Sequence, residues 1–338
     1  MNREIGSEFH AMKPEAGDGI DLPVEGALVF SGRTAIETVL KELPHVKKAA
    51  LPSYCCDSMI APFRQAGITV EFYAVEYQKG LKIDVQVSDD ADVLLWCNYF
   101  GYRTEMPDMS AFKDRGGVII EDITHSLFSA KAYNSQSDYL VASVRKWEPL
   151  NCGGYCAAIN GKLGHIPTTP PSFEFVDAKS SAMKLKAEYL EDPNEEKKQR
   201  FLKMFGENNH WLGENYSELA IDESSKRFLS SVNSEKQKEI RRNNAHVLYE
   251  GLRGKVEFLF PEEDMDCPLF VPIIIRNNRR NEIRQHLSEK GIYCPIHWPR
   301  PQASCDSNLY DLELSLICDQ RYTSEDMERI VAVLSECF

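Results

Sequence analysis

The sequence lacks a long apolar run and an excess of basic charge. No stretch approaches the roughly 20 apolar residues of a membrane-spanning helix, and the N-terminus lacks a basic flank followed by an apolar segment. We therefore expect neither a membrane protein nor a secreted one. Its 39 Lys and Arg against 52 Asp and Glu give a net charge of −13, which argues against a surface for nucleic acid or anionic lipid.

The chain also lacks paired Cys-x-x-Cys spacing, although it has ten cysteines spread over its length. A zinc site or any other metal site is therefore not expected. Unpaired thiols are typical of a reducing compartment, so we expect a cytoplasmic protein. The neighbours Cys55 and Cys56 allow two interpretations, redox chemistry or small apolar packing, and packing is favoured.

An α/β fold is indicated by strand-like runs that alternate with helical patterns through the first half of the 338 residues. The runs are apolar at successive positions, which suits strands buried on both faces of a mostly parallel sheet with flanking helices. The predicted strands are 27–30, 48–52, 70–74, 93–97, 118–121, 139–144 and 155–159. The predicted helical segments are 34–43, 57–66, 178–218, 234–252, 280–290 and 323–337.

The pattern divides the chain into a large domain over 1–235, with an N-terminal arm over 1–25, and a small α+β domain over 236–338. In the small domain, a strand at 269–275 is followed by two predicted helices. Hydroxyl and carboxylate residues at the start of the last helix are typical of a helix N-terminus.

A glycine turn follows the first large-domain strand, in Phe30-Ser31-Gly32-Arg33-Thr34-Ala35. Gly32 permits close backbone approach, and the following helix turns its N–H groups and positive dipole end outward. Such a turn can hold a phosphate. Equally, it can be a plain strand-to-helix turn with a hydroxyl cap.

Two further strands end in chemically capable residues. The strand 118–121 runs directly into Asp122, a carboxylate that needs a cation, such as a protonated pyridine nitrogen, or serves only to cap the next turn. The strand 139–144 runs into Lys146 beside Trp147. A partly desolvated lysine is a Schiff-base nucleophile, whereas a solvated one is an ordinary surface residue.

Taken together, the glycine turn, the strand-end Asp and Ser-x-x-Lys resemble the fold-type I enzymes that use pyridoxal 5′-phosphate (PLP). Further segments resemble the nucleotide-sugar aminotransferases of the DegT/DnrJ/EryC/StrS type within the aspartate aminotransferase superfamily. These segments are Ser53-Tyr54, Gly153-Gly154, 291–299 and 314–326. The resemblance covers the chain from about residue 25 to its end.

The resemblance implies a role for each matching residue. Lys146 holds PLP as an internal aldimine and moves the substrate proton, while Asp122 pairs with the pyridinium nitrogen. Tyr54 stacks on the ring, with His125 nearby. The phosphate is held by Gly32, Arg33, Thr34 and Ser143. The keto-sugar lies near Tyr293, His297, Trp298 and Arg300.

The sequence departs from the commonest family pattern at some of these positions. Lys146 follows Ser143 by three positions instead of five, and His125 stands where Gln is more usual. Related sugar dehydratases have a His in place of the lysine, so Lys146 favours transamination. The asparagine that reaches the partner subunit's cofactor is not recognisable at 222–228.

The resemblance implies a homodimeric aminotransferase with a ping-pong mechanism. It transfers an amino group from an amino acid, L-glutamate, through the pyridoxamine 5′-phosphate (PMP) form to a keto-sugar, which we expect to be nucleotide-linked. Two alternatives remain open. One keeps PLP but acts as a dehydratase, an epimerase or a transaminase of a small ketone, and the other is a non-catalytic ligand-binding relative.

Overall fold

The strands and helices follow the predicted alternation in a computed structural model that describes residues 3–14, 16–303 and 305–338. The strands of the described residues are Ile5–Gly6 (β1), Ala27–Val29 (β2), Lys48–Pro52 (β3), Thr69–Tyr77 (β4), Leu81–Asp84 (β5), Val93–Cys97 (β6), Val118–Asp122 (β7), Tyr139–Ala142 (β8), Gly154–Ala158 (β9), Glu257–Phe258 (β10), Val271–Ile274 (β11), Ile292–Tyr293 (β12) and Glu313–Leu316 (β13). The helices are Gly32–Lys41 (α1), Asp57–Gln65 (α2), Ser110–Asp114 (α3), Phe173–Glu191 (α4), Glu195–Glu214 (α5), Glu223–Leu229 (α6), Ser234–Leu252 (α7), Arg280–Glu289 (α8), Leu309–Leu312 (α9) and Ser324–Ser335 (α10).

The predicted helical segment 178–218 contains two helices, α4 and α5. Between them lies Pro193, whose ring cannot continue a helix. The side chain of Asn194 then caps α5 by accepting the backbone N–H groups of Glu196 and Lys197. The segment therefore forms two helices, because the first helix is interrupted and a new N-cap follows within three residues.

The described chain forms two compact units, and each is built from separate stretches of sequence. Unit 1 comprises the described residues of Met1–Ser7, Val46–Asp138 and Glu235–Phe338, and unit 2 comprises those of Glu8–His45 and Tyr139–Ser234. The predicted boundary between residues 235 and 236 stays a prediction.

Unit 1 contains a mostly parallel five-stranded sheet in the order β7-β6-β3-β4-β5. The pairs β7-β6, β6-β3 and β3-β4 are parallel, and β5 joins the edge antiparallel. All five residues of β6 are buried, because its apolar side chains are covered on both faces. The expected α/β fold with a mostly parallel sheet is confirmed.

Two smaller groups of strands complete unit 1. The strands β10, β11 and β13 form an antiparallel sheet, with Val271 opposite Leu316 and Ile274 opposite Glu313. The short strand β1 pairs in parallel with β12. The last helix, α10, begins with a capping box between Thr323 and Asp326, as its sequence predicts.

In unit 2, an antiparallel group of three strands, in the order β2-β9-β8, packs with α1. The helices α4 and α5 pack against each other around Met183, Phe201 and Phe205. Glu8 from the N-terminal segment reaches α4, where it forms an ion pair of 3.3 Å with Lys179. Unit 2 therefore has an apolar core of its own.

No helix in the described part of the chain is both long and apolar enough to cross a membrane.

Candidate functional site

The predicted phosphate turn is formed at the start of α1 in unit 2. The side chain of Ser31 caps the helix by accepting the backbone N–H of Thr34 at 3.2 Å, and the Thr34 hydroxyl donates to the carbonyl of Tyr216 at 2.8 Å. Thr34 is fully buried. A phosphate at this turn would thus be held by backbone N–H groups and the Arg33 side chain, while the Thr34 hydroxyl supports the turn from behind.

Gly32 and Ser143 are brought together, as the resemblance implies. A Cβ on Gly32 would lie 3.2 Å from Cβ of Ser143, so the glycine turn and the end of β8 are in close approach. The backbone N–H of Lys146 donates to the carbonyl of Ser143 at 3.3 Å, in a single 3-10 turn over Val144–Lys146. The turn, the serine and the lysine therefore belong to one local construction.

Gly154 is needed for this construction. A Cβ at this position would lie 2.1 Å from the carbonyl oxygen of Ser31 and 3.0 Å from the backbone nitrogen of Gly32. Both atoms are backbone atoms, which cannot rotate away. The first residue of β9 thus supports the glycine turn directly, and only glycine leaves the necessary space.

We expect the substitution Gly154→Ala to lower the free energy of unfolding by about 3 kcal/mol, because the added methyl group overlaps backbone atoms. Chemical unfolding followed by circular dichroism measures this loss. The matched control is Gly206→Ala on α5, where a Cβ would meet nothing within 4 Å. There, removal of a helical glycine should raise stability by about 1 kcal/mol. Equal effects of the two substitutions would contradict the close approach at Gly154.

The positive charge beside Lys146 suits an anion. Burial lowers the pKa of Arg145, and the nearby positive charge of Arg33 lowers it further, whereas Glu8 acts in the opposite direction. The Lys146 side chain is exposed in the chain as described. The positive charges of Arg33 and Arg145 repel each other, and a phosphate dianion bound between their guanidinium groups would relieve this repulsion.

Asp122 ends β7 in unit 1, opposite Cys97 on β6. It is 7% exposed, and its Oδ1 accepts the backbone N–H of Thr124 at 2.9 Å. Its neighbour Glu121 is also buried, and its pKa is raised by burial and further by the charge of Asp122. Asp122 thus caps the following turn and also supplies a buried carboxylate at the strand end.

Rings from distant parts of the sequence meet in unit 1. The His125 ring stacks on Trp298 with 5.4 Å between centroids, and it meets the His297 ring edge-on at 5.5 Å. The Tyr54 ring lies 5.2 Å from that of Trp298 and is stacked at 5.8 Å on Tyr99. Two residues predicted to contact the cofactor and two predicted to lie near the sugar therefore share one aromatic cluster.

The hydrogen bond of His125 determines its tautomer. Its Nδ1 lies 3.1 Å from the backbone N–H of Phe100, which can only donate. Nδ1 must therefore accept, and the neutral ring carries its proton on Nε2.

Tyr293 and Arg300 are not brought into this cluster. The Tyr293 hydroxyl donates to Glu4 at 3.2 Å. Arg300 is exposed and pairs with Asp306 and Asp311, although its guanidinium also covers the Tyr310 ring at 5.0 Å. The assignment of both residues to the substrate stays a prediction.

No sequence pattern predicted a role for Glu313, Ser315 or Tyr310. Glu313 and Ser315 lie on β13 with no exposed surface, next to His297, and the Tyr310 ring is 5.2 Å from that of Tyr54. Two polar residues at alternate positions of an apolar strand predict a solvent-facing side. This alternation is the one sequence pattern that bears on Glu313 and Ser315, and it wrongly predicts that both side chains are exposed.

Cys55 is buried, whereas Cys56 is half-buried and its thiol lies 2.8 Å from the Ser58 hydroxyl. Cys55 has no exposed surface, and its backbone N–H donates to the Tyr310 hydroxyl at 3.0 Å. The thiol of Cys55 is close to that of Cys305, and a hydrogen bond between them, followed by burial, raises the pKa of Cys55. A raised pKa makes a thiol less reactive, which favours the packing interpretation for Cys55.

No protein-family model and no curated protein sequence matches the chain. Solved structures do match. DesI, crystallised with its TDP-sugar product, is 13% identical with a TM-score of 0.64 over 93% of this chain and 80% of its own. A DegT DnrJ EryC1 StrS aminotransferase from Brucella abortus is 16% identical with a TM-score of 0.61 over 94% and 87%. Spr1654 from Streptococcus pneumoniae in its PMP form is 13% identical with a TM-score of 0.64 over 93% and 88%.

These similarities establish the fold of the chain. It is the fold-type I architecture of the DegT DnrJ EryC1 StrS aminotransferases, as the resemblance implies. The matches extend over more than nine tenths of this chain, so they include both units.

Proposed function

We propose that the chain is a PLP-dependent sugar aminotransferase. The observation that carries the proposal is the joint presence of Lys146, Ser143 and the Gly32 turn in one local construction on this fold. The solved neighbours support it, because DesI was crystallised with a TDP-sugar and Spr1654 is known in PLP and PMP forms.

The residues of unit 2 fit the phosphate and aldehyde ends of PLP. The N-terminus of α1, Arg33 and the Ser143 hydroxyl would hold the phosphate, supported by Gly154 behind the turn. The Lys146 amine would attach covalently to the cofactor. Once the amino donor has displaced it, Lys146 moves a proton at the donor's α-carbon.

The resemblance assigns the ring of PLP to Asp122, His125 and Tyr54. Asp122 is a buried carboxylate that would keep the pyridine nitrogen protonated, and His125 would lie near the ring. PLP supplies an electron sink that stabilises the negative charge formed when the α-proton leaves. Tyr54 completes the predicted cofactor set, although its ring is enclosed by protein rings.

The two substrates are proposed from the resemblance and from the TDP-sugar product found with DesI. We assign L-glutamate as amino donor and a nucleotide-linked keto-sugar as acceptor in a ping-pong mechanism, with His297 and Trp298 towards the sugar. In this scheme donor and acceptor use the site in turn, so one set of proton-transferring residues serves both halves. We further propose a homodimer, which light scattering of the purified chain tests directly.

The experiment separates the two half-reactions. Purified protein with PLP is mixed with L-glutamate, and the visible absorbance band should change to the shorter-wavelength band of PMP with release of 2-oxoglutarate. A TDP-linked keto-sugar should then restore the first band and give an amino-sugar. A spectrum that no amino donor changes, or a product that has lost water without gaining nitrogen, would replace the aminotransferase with the dehydratase alternative.

A further inference from the structure

A buried chain of three polar side chains lies behind the aromatic cluster of unit 1. Oε2 of Glu313 accepts the backbone N–H of His297 at 2.7 Å, and Oε1 contacts the Ser315 hydroxyl. The Ser315 oxygen is in turn 2.8 Å from Nδ1 of His297. Carboxyl, hydroxyl and imidazole are therefore linked in series, with Glu313 and Ser315 fully buried and His297 only 4% exposed.

The surroundings of Glu313 favour its neutral form. The positive charge of Arg280 on α8 acts on Glu313, but the Arg280 Nη1 donates to the backbone carbonyl of Glu313 at 3.0 Å. The negative charge of Asp311 also stabilises the Arg280 guanidinium. The other titratable groups that face the carboxyl are Tyr54, Cys294 and His297. Burial raises the pKa of Glu313 to about 8, although the His297 N–H, the Ser315 hydroxyl, the charge of Arg280 and the Tyr54 hydroxyl partly oppose this shift.

The protonation state of Glu313 sets the tautomer of His297. A protonated Glu313 donates to Ser315, whose hydroxyl then donates to Nδ1, so the neutral imidazole carries its proton on Nε2. An ionised Glu313 can only accept. Ser315 must then donate to Glu313, Nδ1 must donate to Ser315, and Nε2 becomes an acceptor.

The neighbouring His125 has a different partner at Nδ1. Its Nδ1 accepts a backbone N–H from Phe100, which has no proton to release at ordinary pH. Of the two imidazoles that meet edge-on in the cluster, His297 is therefore the one whose Nδ1 is linked through a hydroxyl to a carboxyl group.

We propose that Glu313 and Ser315 form a proton relay that resupplies His297 as it protonates the oxygen of a bound keto-sugar. The proposal rests on the proposed function, in which that oxygen leaves as water when the sugar is aminated. His297 is the catalytic residue of the relay, and Glu313 and Ser315 are positioning residues.

The transfer balances bond by bond. The Nε2–H bond of His297 breaks as the sugar oxygen gains its proton. Nδ1 takes the proton of the Ser315 hydroxyl, and Ser315 takes the proton of Glu313. The products are a protonated sugar oxygen, a neutral His297 with its proton on Nδ1 and an ionised Glu313. After the product has left, Nε2 of His297 takes up a proton, Nδ1 returns its proton to Ser315, and Ser315 returns its own to Glu313.

The first test needs neither cofactor nor activity. Nitrogen NMR of the protein labelled with ¹⁵N-histidine, with the His297 signals assigned by loss in His297→Gln, reports which ring nitrogen carries the proton. We expect the tautomer to change with a midpoint near pH 8 and the change to be absent in Glu313→Gln and Ser315→Ala. A His297 tautomer that does not change between pH 6.5 and 9.5, or a midpoint that persists in Glu313→Gln, overturns the relay.

Glu313→Gln is expected to fold, because it replaces a buried acid by a neutral group of the same shape. Its melting temperature at pH 8 should be at least that of the parent protein. If it melts lower, Ser315→Ala becomes the deciding variant, since it cuts the relay and keeps Glu313. Loss of the tautomer change in that variant supports the relay, and its persistence overturns it.

The second test uses turnover. In Glu313→Gln, kcat for amination should fall about 10- to 100-fold, which is at the lower end of what general acid catalysis contributes. The decline of kcat/KM that the parent protein shows above pH 8 should disappear in this variant. A plot of kcat against the D₂O fraction of the solvent should be curved for the parent protein and linear for Ser315→Ala. Several protons move together only when the relay is intact. A variant with parental rate and pH profile overturns the relay, whereas no amination by any protein, with the NMR result intact, overturns the proposed function alone.

Discussion

Lys146→Ala is expected to abolish the visible absorbance band of bound PLP and to lower transamination more than about 1000-fold. The substitution removes both the amine that attaches the cofactor and the group that moves the substrate proton, and either loss alone is large. The measurements are an absorbance spectrum of the protein after dialysis against PLP and the rate of 2-oxoglutarate release from L-glutamate.

The matched control is Lys162→Ala, which removes another exposed lysine from the same unit. We expect its spectrum and rate to equal those of the parent protein. A Lys146→Ala protein that retains the band and transaminates at the parental rate would exclude Lys146 from catalysis. Loss of the band in both variants would indicate general damage to unit 2 instead of a specific role.

Arg321→Met is expected to lower the free energy of unfolding by about 3 to 5 kcal/mol. Arg321 pairs with Asp319 through two hydrogen bonds of 2.7 and 2.8 Å, and both side chains are almost completely buried. Burial alone would raise the pKa of Asp319, but the charges of Arg321 and Arg241 hold it below its usual value. Without Arg321, a buried carboxylate loses its main partner, which is among the most costly single changes.

The effect of Arg321→Met should depend on pH in a defined direction. In the parent, the depressed pKa of Asp319 stabilises the fold above the pKa of an unfolded Asp, about 3.9. In the variant, that pKa rises and protonation relieves the isolated charge, so the difference in stability narrows as the pH falls from 7 towards 4. Urea unfolding across this range measures it.

An exposed arginine provides the comparison. Arg253 pairs with Glu250 and Glu262 at the surface, and its side chain is 68% exposed. Arg253→Met should cost less than about 1 kcal/mol, because solvent screens such pairs. A similar loss of unfolding free energy in both variants would show that the buried Arg321–Asp319 pair stabilises the fold no more than an exposed pair does.

The chain alone was sufficient to predict much of the sheet and the residues that follow its strands. Continuous apolar runs such as 93–97 have only one stable environment, burial on both faces, and the structure gives β6 these bounds. Gly32, Asp122 and Lys146 could be selected because each follows such a run directly. Local rules also predict the N-cap at Ser31 and the capping box at Thr323, since their partners are three residues away.

Contacts between residues that are far apart in sequence could not be predicted from the sequence. Tyr54 and Trp298 are more than 240 positions apart in sequence, yet their rings are 5.2 Å apart. No periodicity encodes such a contact, because it depends on how strands and loops pack. The same holds for Tyr293 and Arg300, which the resemblance groups with His297 but which contact Glu4, Asp306 and Asp311.

Glu313 is the clearest case in which a sequence pattern gives the wrong burial. Its alternation with Leu312 and Leu314 predicts an exposed side chain, because period-2 patterns usually separate a core face from a solvent face. The structure buries both faces of β13 and supplies Glu313 with the backbone N–H of His297 and the hydroxyl of Ser315. Local chemistry was enough to predict the long apolar strands, most of the long helices and the residues that follow these strands. Which polar groups lose their water, and which partners replace it, depends on every element packed around a residue and therefore on the folded structure.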